Sequence, residues 1–499
     1  MTSRARSTLF LLGIAAISLL GHVLVNQRYG YHRDEFPVLD DAMHLAWGYV
    51  VYPPVTPFLA RIALTLLGHS LGGLRLLSTL GFCLVIVVSG LMARRLGAGL
   101  WGQALAAAAV ATATVPVHNS SLFQYVTFDY LAWVLTAYFV ICLLTTNDER
   151  WWLAVGAALA FGALTKYTIG ALILGLALGV LLTPARRHLR SRWLWLGALL
   201  SVLLVLPHLF WEYQHHFITL DFLQSIHERD VGEGRADHFL VEQLLVGSSP
   251  ATIWLWLAGL WFYFFAAGGR PYRVLGWMYL VPLLVFVIAR GRFYYIAPAY
   301  PMLLAAGSTW FSEKVTTLST TWRRTAIASA VVLLLGGAVL IVRLLMPVAT
   351  LHSALWEKQI KLVDDFPEEI GWTDLVDEVA RIYHAQPQKG GRVAILAGNY
   401  GEAGAINLFG PSHQLPPAIS AVNTYWLRGY GEPAPETVVL VGFSRKAAER
   451  YFGEVTLAGH VTNSEGVRNE ETEDHPDIFV VRHPRKPWPQ LWVDLQDFG

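Results

Sequence analysis

The sequence has few charged residues for its length. Of its 499 residues only 15% are Asp, Glu, Lys or Arg, whereas globular domains carry roughly 25%. A surface so poor in charge excludes a soluble multidomain enzyme and a disordered chain. Lys and Arg number 37 against 36 Asp and Glu, a net charge of +1, so nothing in the charge balance favours nucleic acid as a partner.

Cysteine is also scarce. Cys83 and Cys142 both lie inside apolar runs, so they are expected to be small buried side chains, and neither a disulfide framework nor a zinc site is indicated. The sequence shows no internal repeat and no low-complexity linker.

Long apolar runs are abundant, and 54% of the residues are hydrophobic. About 20 apolar residues in a helix cross the roughly 30 Å hydrocarbon core of a bilayer. The stretch 152–183 is too long for one span and is interrupted by Lys166, so we divide it into two. The sequence predicts a polytopic α-helical membrane protein of about 11 transmembrane helices, although ten is an open alternative. The other predicted spans are 8–26, 73–93, 99–117, 127–145, 193–211, 251–268, 274–290, 294–311 and 325–346.

Basic residues near the span ends predict the orientation. Arg94, Arg95 and the basic cluster at 186–192 fall on one side, which should be cytoplasmic. The first segment lacks a small-x-small cleavage site and is expected to be a retained anchor. We therefore predict a cytoplasmic N-terminus, a membrane domain over 1–348 and an extracytoplasmic tail over 349–499.

The tail pattern predicts a small α/β domain. Candidate strands at 393–396, 437–441 and 479–481 follow a stretch of helical apolar spacing at 375–384. The glycine-rich turn 398–404 is either a strand-to-helix connection or a contact for an acceptor or glycan. It matches no nucleotide-binding motif.

The first outer loop, residues 27–72, gathers acidic residues at the membrane surface. Asp34 and Glu35 are adjacent, and neighbours on a helix lie about 100° apart, so we expect at most one of them to face a reacting atom. A carboxylate at a low-dielectric boundary suits a general base. An ordinary solvated juxtamembrane loop is the alternative.

Several short motifs occur in a fixed order along the chain. As a set they resemble the signatures of the polytopic GT-C glycosyltransferases, and more closely the protein-mannosyltransferase-like family 39 of bacteria, which includes aminoarabinose and galacturonosyl transferases. Tyr52 departs from this pattern, because the family usually has His or Gln before the two prolines. The motifs are Arg33-Asp34-Glu35, His44–Tyr49, Tyr52-Pro53-Pro54, Phe128-Asp129 to Trp133, Leu164-Thr165-Lys166-Tyr167, Arg292–Tyr295 with Pro298 and Tyr300-Pro301, Asn399–Ala405 and Asn423–Trp426.

The resemblance implies transfer of a sugar from a polyprenyl-phosphate carrier to an acceptor at the outer face of a bacterial inner membrane. The acceptor would be a glycan, a lipid A-type lipid or a protein. A single inverting displacement needs a base for the acceptor hydroxyl and cations for the departing phosphate, by analogy with glycosidases. Asp34 matches the family's first-loop acid and is the predicted base, with Glu35 as its alternative or support. No cofactor is required, although a divalent ion at Asp34 and Glu35 is conceivable.

Cations that could hold the phosphate are few. Lys166 either contacts phosphate or extends to the lipid headgroups. Arg292 is the predicted phosphate clamp because a guanidinium grips two oxygens at once, and its alternative is an interfacial anchor. Tyr294 and Tyr295 are either interfacial aromatics or hydrogen-bond donors to phosphate.

Asp129, at the outer start of a span, is a further catalytic candidate, or else an acid that interacts with the helix dipole. The charged segment 228–235 suits a mobile cover over the cavity, or is an ordinary loop. Two other classes stay open: a transporter or flippase of lipid-linked sugars, and a structural membrane protein with an outer interaction domain.

Overall fold

The computed structural model describes residues 3–387 and 391–499. Its first two thirds are helical, with short 3₁₀ turns over Pro184–Arg190, Pro250–Thr252, Ala267–Tyr272 and Phe293–Ala299. The α-helices of this part are α1 (Ser3–Val25), α2 (Glu35–Met43), α3 (Val55–Leu67), α4 (Leu71–Arg95), α5 (Leu100–Ala111), α6 (Thr114–Asn119), α7 (Tyr125–Thr146), α8 (Trp151–Ala163), α9 (Ile169–Leu182), α10 (Arg192–Gln214), α11 (Ile218–Gly232), α12 (Phe239–Leu245), α13 (Ile253–Phe264), α14 (Arg273–Ile288), α15 (Tyr300–Thr316) and α16 (Thr320–Leu345).

The described residues contain six helices long and apolar enough to cross a membrane, or eight if each of two bent pairs is one span. The predicted count of eleven is therefore not confirmed, although each predicted segment contains a helix. The difference arises because several apolar runs break before reaching full length. The run 99–117 divides into α5 and α6, and the run 294–311 begins as a 3₁₀ turn that contains Pro298.

Small residues let some helices of the bundle approach at backbone distance. A Cβ added at Gly259 of α13 would lie 2.0 Å from the carbonyl oxygen of Leu303 in α15, and one added at Gly307 would lie 1.9 Å from that of Leu255. Such contacts are typical of helices packed within a bilayer, where close van der Waals contact replaces the hydrophobic effect. These contacts hold α13 against α15, the helix that follows the segment carrying Arg292.

The tail folds around a five-stranded mixed sheet of order β2-β1-β3-β5-β4. The three predicted strands and the predicted helix are confirmed as β1, β3, β5 and α18. The two edge strands, β2 and β4, have no clear apolar pattern and were not predicted. The strands are β1 (Val393–Ala397), β2 (Ile419–Ser420), β3 (Thr437–Val441), β4 (Phe452–His460) and β5 (Asp477–Pro484). The helices are α17 (Trp356–Gln359), α18 (Trp372–His384), α19 (Tyr400–Phe409), α20 (Thr424–Arg428), α21 (Arg445–Tyr451), α22 (Glu470–Glu473) and α23 (Trp488–Asp494).

The tail packs directly on the first loop. Phe36 of α2 is 1% exposed and belongs to the tail's own hydrophobic core, against Trp372. Arg428 of α20 donates hydrogen bonds to Asp40 and Asp41, and the hydroxyl of Tyr52 donates to Asp41 at 2.8 Å. The loop and the tail therefore form one packed unit.

A single buried arginine joins the first loop, the membrane bundle and the tail. Arg75 of α4 is fully buried, and its Nε and Nη2 donate to the two oxygens of Glu35 at 2.8 and 2.7 Å. Nη1 donates to Glu369 at 3.1 Å and to the carbonyl of Asn26 at 2.7 Å, and Nη2 also donates to the carbonyl of Gly30 at 2.8 Å. All five N–H groups of the guanidinium are thus satisfied.

We expect Arg75→Met to destabilise the protein strongly. It leaves Glu35 and Glu369 as buried carboxylates without their cation, and breaking a buried pair in this way typically costs about 3–5 kcal/mol. Thermal unfolding in detergent should show a large fall in Tm or loss of folded protein. Arg381→Met is the matched control, because Arg381 pairs with Glu378 on the exposed surface, where an ion pair contributes about 1 kcal/mol or less. Equal Tm values for the two variants would contradict this account.

Candidate functional site

Asp34 is the first-loop carboxylate that stays accessible. It directly precedes α2, and its side chain is 43% exposed. Its Oδ1 accepts a hydrogen bond from the hydroxyl of Tyr400 at 2.9 Å, and its Oδ2 accepts one from Nε2 of Gln124 at 3.1 Å. Two neutral donors therefore orient the carboxylate, and the imidazole of His32 lies alongside it, with Nδ1 4.0 Å from Oδ2.

Glu35 turns the other way, as the helical spacing predicts. It is fully buried, and besides Arg75 it accepts hydrogen bonds from the backbone N–H groups of His32 and Phe123, both at 2.8 Å. Its oxygens are thus fully engaged by the fold. Of the two roles predicted for Glu35, this geometry favours the supporting one over that of the base.

His32 links the first loop to the tail through a second buried group. Its Nε2 lies 3.6 Å from Oδ1 of Asp365, and its Nδ1 lies 3.2 Å from the backbone nitrogen of Asp34. The other oxygen of Asp365 lies 2.7 Å from Nε2 of His118. Burial opposes protonation of His32, but the hydrogen bond and charge of Asp365, with Asp34 and Glu369 nearby, raise its pKa to about 9.

Lys166 lies among three tyrosine rings. Its Nζ is 4.6 Å from the ring centroid of Tyr295, 5.0 Å from that of Tyr294 and 5.1 Å from that of Tyr125. These are cation–π distances. Within the described residues, no side-chain or backbone acceptor is hydrogen-bonded to this ammonium group, so its three N–H donors remain available to a ligand.

Asp129 supports the turn that carries Lys166. It is 2% exposed on α7, and its two oxygens accept from Nε1 of Trp133 at 3.1 Å and from the hydroxyl of Thr168 at 2.9 Å. Thr168 belongs to the same turn as Lys166. The carboxylate is enclosed and helps to position the turn, and a catalytic role for Asp129 stays a prediction.

Arg292 is engaged by the segment predicted to cover the cavity. Its Nε and Nη2 donate to the two oxygens of Asp230 at 2.6 and 2.7 Å, and its Nη1 lies 3.4 Å from the hydroxyl of Tyr294. Asp230 belongs to α11, so the predicted segment 228–235 begins within a helix that reaches this cation. The edge of Arg292 that we expected to grip phosphate is held by a carboxylate in this structure.

An apolar groove of about 550 Å³ lies among α12, α13 and α14. Trp256, Trp261 and Phe264 are among its lining residues. Gln243, which also lines the groove, donates from its Nε2 to the carbonyl of Phe293 at 2.9 Å. Phe293 directly follows Arg292, so one polar side chain joins the groove to the segment that carries this cation.

No group of three or more His, Cys, Asp or Glu within residues 3–387 and 391–499 has the geometry to hold a metal ion. The carboxylates of Asp34 and Glu35 point to different partners and do not form a shared pair. The arrangement offers a base and cations, with no metal-ligand set among the described residues.

The sequence analysis missed several residues of this site. Gln124 and Tyr125 stand just before the Phe128-Asp129 motif and gave no separate signal. Asp230 was noted only as part of a charged segment, and Tyr400 only as part of a glycine-rich turn. Their partners are distant in sequence, which neither periodicity nor spacing can indicate.

The sequence matches the family model of the dolichyl-phosphate-mannose-protein mannosyltransferases over residues 51–211. This segment contains Asp129 and Lys166, whereas Asp34 and Arg292 lie outside it. No curated protein matches the sequence significantly.

Solved structures share the fold over nearly the whole chain. ArnT from Cupriavidus metallidurans in the apo state matches with a TM-score of 0.63 and 15% identity, covering 96% of this chain and 98% of that one. The same protein bound to undecaprenyl phosphate gives 0.57 and 16%, covering 94% and 97%. The Archaeoglobus fulgidus oligosaccharyltransferase gives 0.51 and 14%, covering 86% and 68%. The resemblance to protein-mannosyltransferase-like GT-C proteins is confirmed by the family match and by this shared fold.

The pKa of His32 predicts a pH-dependent stability. A histidine whose pKa rises from 6.5 unfolded to about 9 folded stabilises the fold fully below pH 6.5, and this contribution is lost as pH rises through 9. We expect Tm in detergent to fall between pH 6.5 and 9.5, and His32→Gln to lower Tm more at pH 6.5 than at pH 9.5. Exposed His483 supplies the control His483→Gln, which should leave the pH dependence unchanged. A His32→Gln protein with the wild-type pH dependence would contradict the assignment.

Proposed function

We propose that this protein is an integral membrane glycosyltransferase that transfers a sugar from a polyprenyl-phosphate donor to an acceptor at the outer face of the membrane. The acceptor is a glycan, a lipid A-type lipid or a protein. The observation that carries the proposal is that two consecutive residues, Gln124 and Tyr125, contact an accessible carboxylate, Asp34, and the ammonium group of Lys166.

Two consecutive residues connect these groups. Gln124 donates to Asp34, and the ring of the next residue, Tyr125, lies against Lys166. A carboxylate and a cation held on adjacent residues match the two needs of glycosyl transfer, removal of a proton from the acceptor and stabilisation of the departing phosphate. The bound undecaprenyl phosphate of the similar ArnT structure supports a carrier of this class.

In the proposed reaction Asp34 accepts the proton of the acceptor hydroxyl as its oxygen attacks the anomeric carbon. The bond from that carbon to the phosphate oxygen breaks, the anomeric centre inverts, and polyprenyl phosphate leaves with the bonding electrons. Lys166 donates hydrogen bonds to this phosphate, and the hydroxyls of Tyr294 and Tyr295 lie beside it as further donors. The isoprenoid chain occupies the apolar groove next to Gln243.

The predicted topology indicates on which side of the membrane this site lies. The basic residues of 186–192 face the cytoplasm of a bacterial inner membrane, so the first loop and the tail are extracytoplasmic. The donor then reaches the site within the outer leaflet, and the acceptor arrives from the aqueous side.

Asp34→Asn should abolish turnover while leaving the fold intact. The change is isosteric and removes the proton acceptor together with one of the two hydrogen bonds that the carboxylate accepts, and general-base catalysis contributes typically about 10²–10⁴-fold. Purified protein in nanodiscs, given a panel of polyprenyl-phosphate sugars and membrane extract, should release free polyprenyl phosphate, and the variant should release at least about 100-fold less. The control is Asp474→Asn, which alters an exposed tail acid.

Wild-type rates in Asp34→Asn would contradict the assigned base. No release from wild type with any donor, together with lipid translocation, would instead favour a transporter of lipid-linked sugars.

Lys166→Met should weaken carrier binding by about 10- to 100-fold, because a hydrogen bond from a charged donor contributes about 1.5–3 kcal/mol. Methionine keeps the length and apolar character of the side chain within the tyrosine rings. Binding of polyprenyl phosphate in nanodiscs measures the change in Kd. Lys314→Met is the matched control, because Lys314 is exposed near the end of α15. An unchanged Kd for Lys166→Met would show that the ammonium does not bind the phosphate.

A further inference from the structure

One side chain of the tail reaches the candidate base directly. Tyr400 begins α19, immediately after the turn that follows β1, and its hydroxyl donates to Oδ1 of Asp34 at 2.9 Å. The guanidinium of Arg33 lies over its ring, 5.2 Å from the centroid. Because 366 positions separate Tyr400 from Asp34, this contact exists only when the tail is docked.

The glycine-rich turn 398–404 is built to hold Tyr400 in this position. Asn399 accepts from the backbone N–H of Glu402 at 2.8 Å, and Glu402 in return accepts from the backbone N–H groups of Asn399 and Gly398 at 3.2 and 3.1 Å. This reciprocal capping box fixes the first turn of α19. Tyr400 directly follows the N-cap, so the capping box fixes the direction in which its side chain points.

Two glycines of the turn bring α19 close enough to α2. A Cβ added at Gly404 would lie 2.4 Å from Cβ of Phe36, and one added at Gly401 would lie 3.1 Å from Cβ of Arg33. A larger residue at Gly404 would separate the two helices. The glycines that the sequence displays as a motif therefore serve the approach of Tyr400 to the first loop.

The Tyr400 hydroxyl keeps its proton and remains a hydrogen-bond donor. Burial, together with the negative charge of Asp34, raises the pKa of its phenol well above the usual range. It remains protonated wherever the protein is folded and donates to Asp34 throughout. One oxygen of Asp34 therefore has a constant hydrogen-bond donor.

We infer that Tyr400 is a positioning residue through which the tail keeps the carboxylate of Asp34 correctly oriented to accept the acceptor proton. This inference rests on the proposed function. It makes the tail part of the catalytic apparatus, since the membrane bundle supplies only Gln124 to the same carboxylate. It also selects between the two sequence interpretations of the turn: the connection acts on the base, without need of a glycan contact.

Tyr400→Phe tests the inference by separating kcat from KM in polyprenyl-phosphate release. Without the hydroxyl, Asp34 loses one of the two hydrogen bonds that orient its carboxylate, so kcat should fall about tenfold, the equivalent of one such hydrogen bond. KM for the donor should stay within about twofold, because Tyr400 does not hold the phosphate. Tyr451→Phe is the matched control, because it removes a tail hydroxyl that is hydrogen-bonded to the backbone carbonyl of Asp494.

A second substitution guards against a folding defect. Replacing Tyr400 with 3-fluorotyrosine keeps the side chain and its hydroxyl, so kcat should stay close to that of the wild type. A fall in kcat for Tyr400→Phe alone, with KM unchanged, supports the inference. An equal fall in both variants, or an unchanged kcat in Tyr400→Phe, would overturn it while an active wild type upholds the proposed function. A wild type that releases no polyprenyl phosphate would overturn the proposed function itself, and this inference with it.

Discussion

The site depends on the buried guanidinium of Arg75. Removing this charge from water is unfavourable unless every N–H group is satisfied, and the five acceptors come from the first loop and the tail. Two carboxylates face the single cation, and burial raises the pKa of Glu369 to about 7 against the opposing charge of Arg75. The first loop cannot reach its position without the tail, because Glu369 completes the set that Glu35, Asn26 and Gly30 begin.

The need to pair the buried Arg75 gives the adjacent acids Asp34 and Glu35 different surroundings. Glu35 is directed inwards to Arg75, and the helical turn that begins there leaves Asp34 directed outwards, where its side chain is 43% exposed. The same sequence step therefore yields one carboxylate held by the charge of Arg75 and another hydrogen-bonded by the neutral donors of Tyr400 and Gln124. Asp34 and Glu35 are both carboxylic acids, and it is their surroundings that separate the roles we assign to them.

How far the sequence predicts this structure depends on the range of each interaction. Strands such as β1 and β3 are buried on both faces, so their apolar runs are visible in the sequence, and the first-loop acids stand out against an apolar background. Arg75 gave no such signal, since it lies within a predicted span and its partner Glu369 is 294 positions away. Tyr400 and Asp230 are likewise recognisable only through distant partners. The span count is not confirmed for a local reason, because hydropathy does not show the breaks within 99–117 and 294–311.

The two cations of the site differ in a way that composition could not show. Lys166 presents free donors among aromatic rings, which attract its charge without occupying its N–H groups. Arg292 already uses two donors on Asp230, a carboxylate that is itself 5% exposed. A phosphate that binds both cations can therefore accept hydrogen bonds from Lys166 directly, but it has to displace Asp230 from Arg292. Displacement leaves a buried carboxylate without its partner, which is unfavourable unless α11 moves. Under the proposed function, Lys166 determines where the phosphate binds, and Arg292 couples that binding to the helix covering the site.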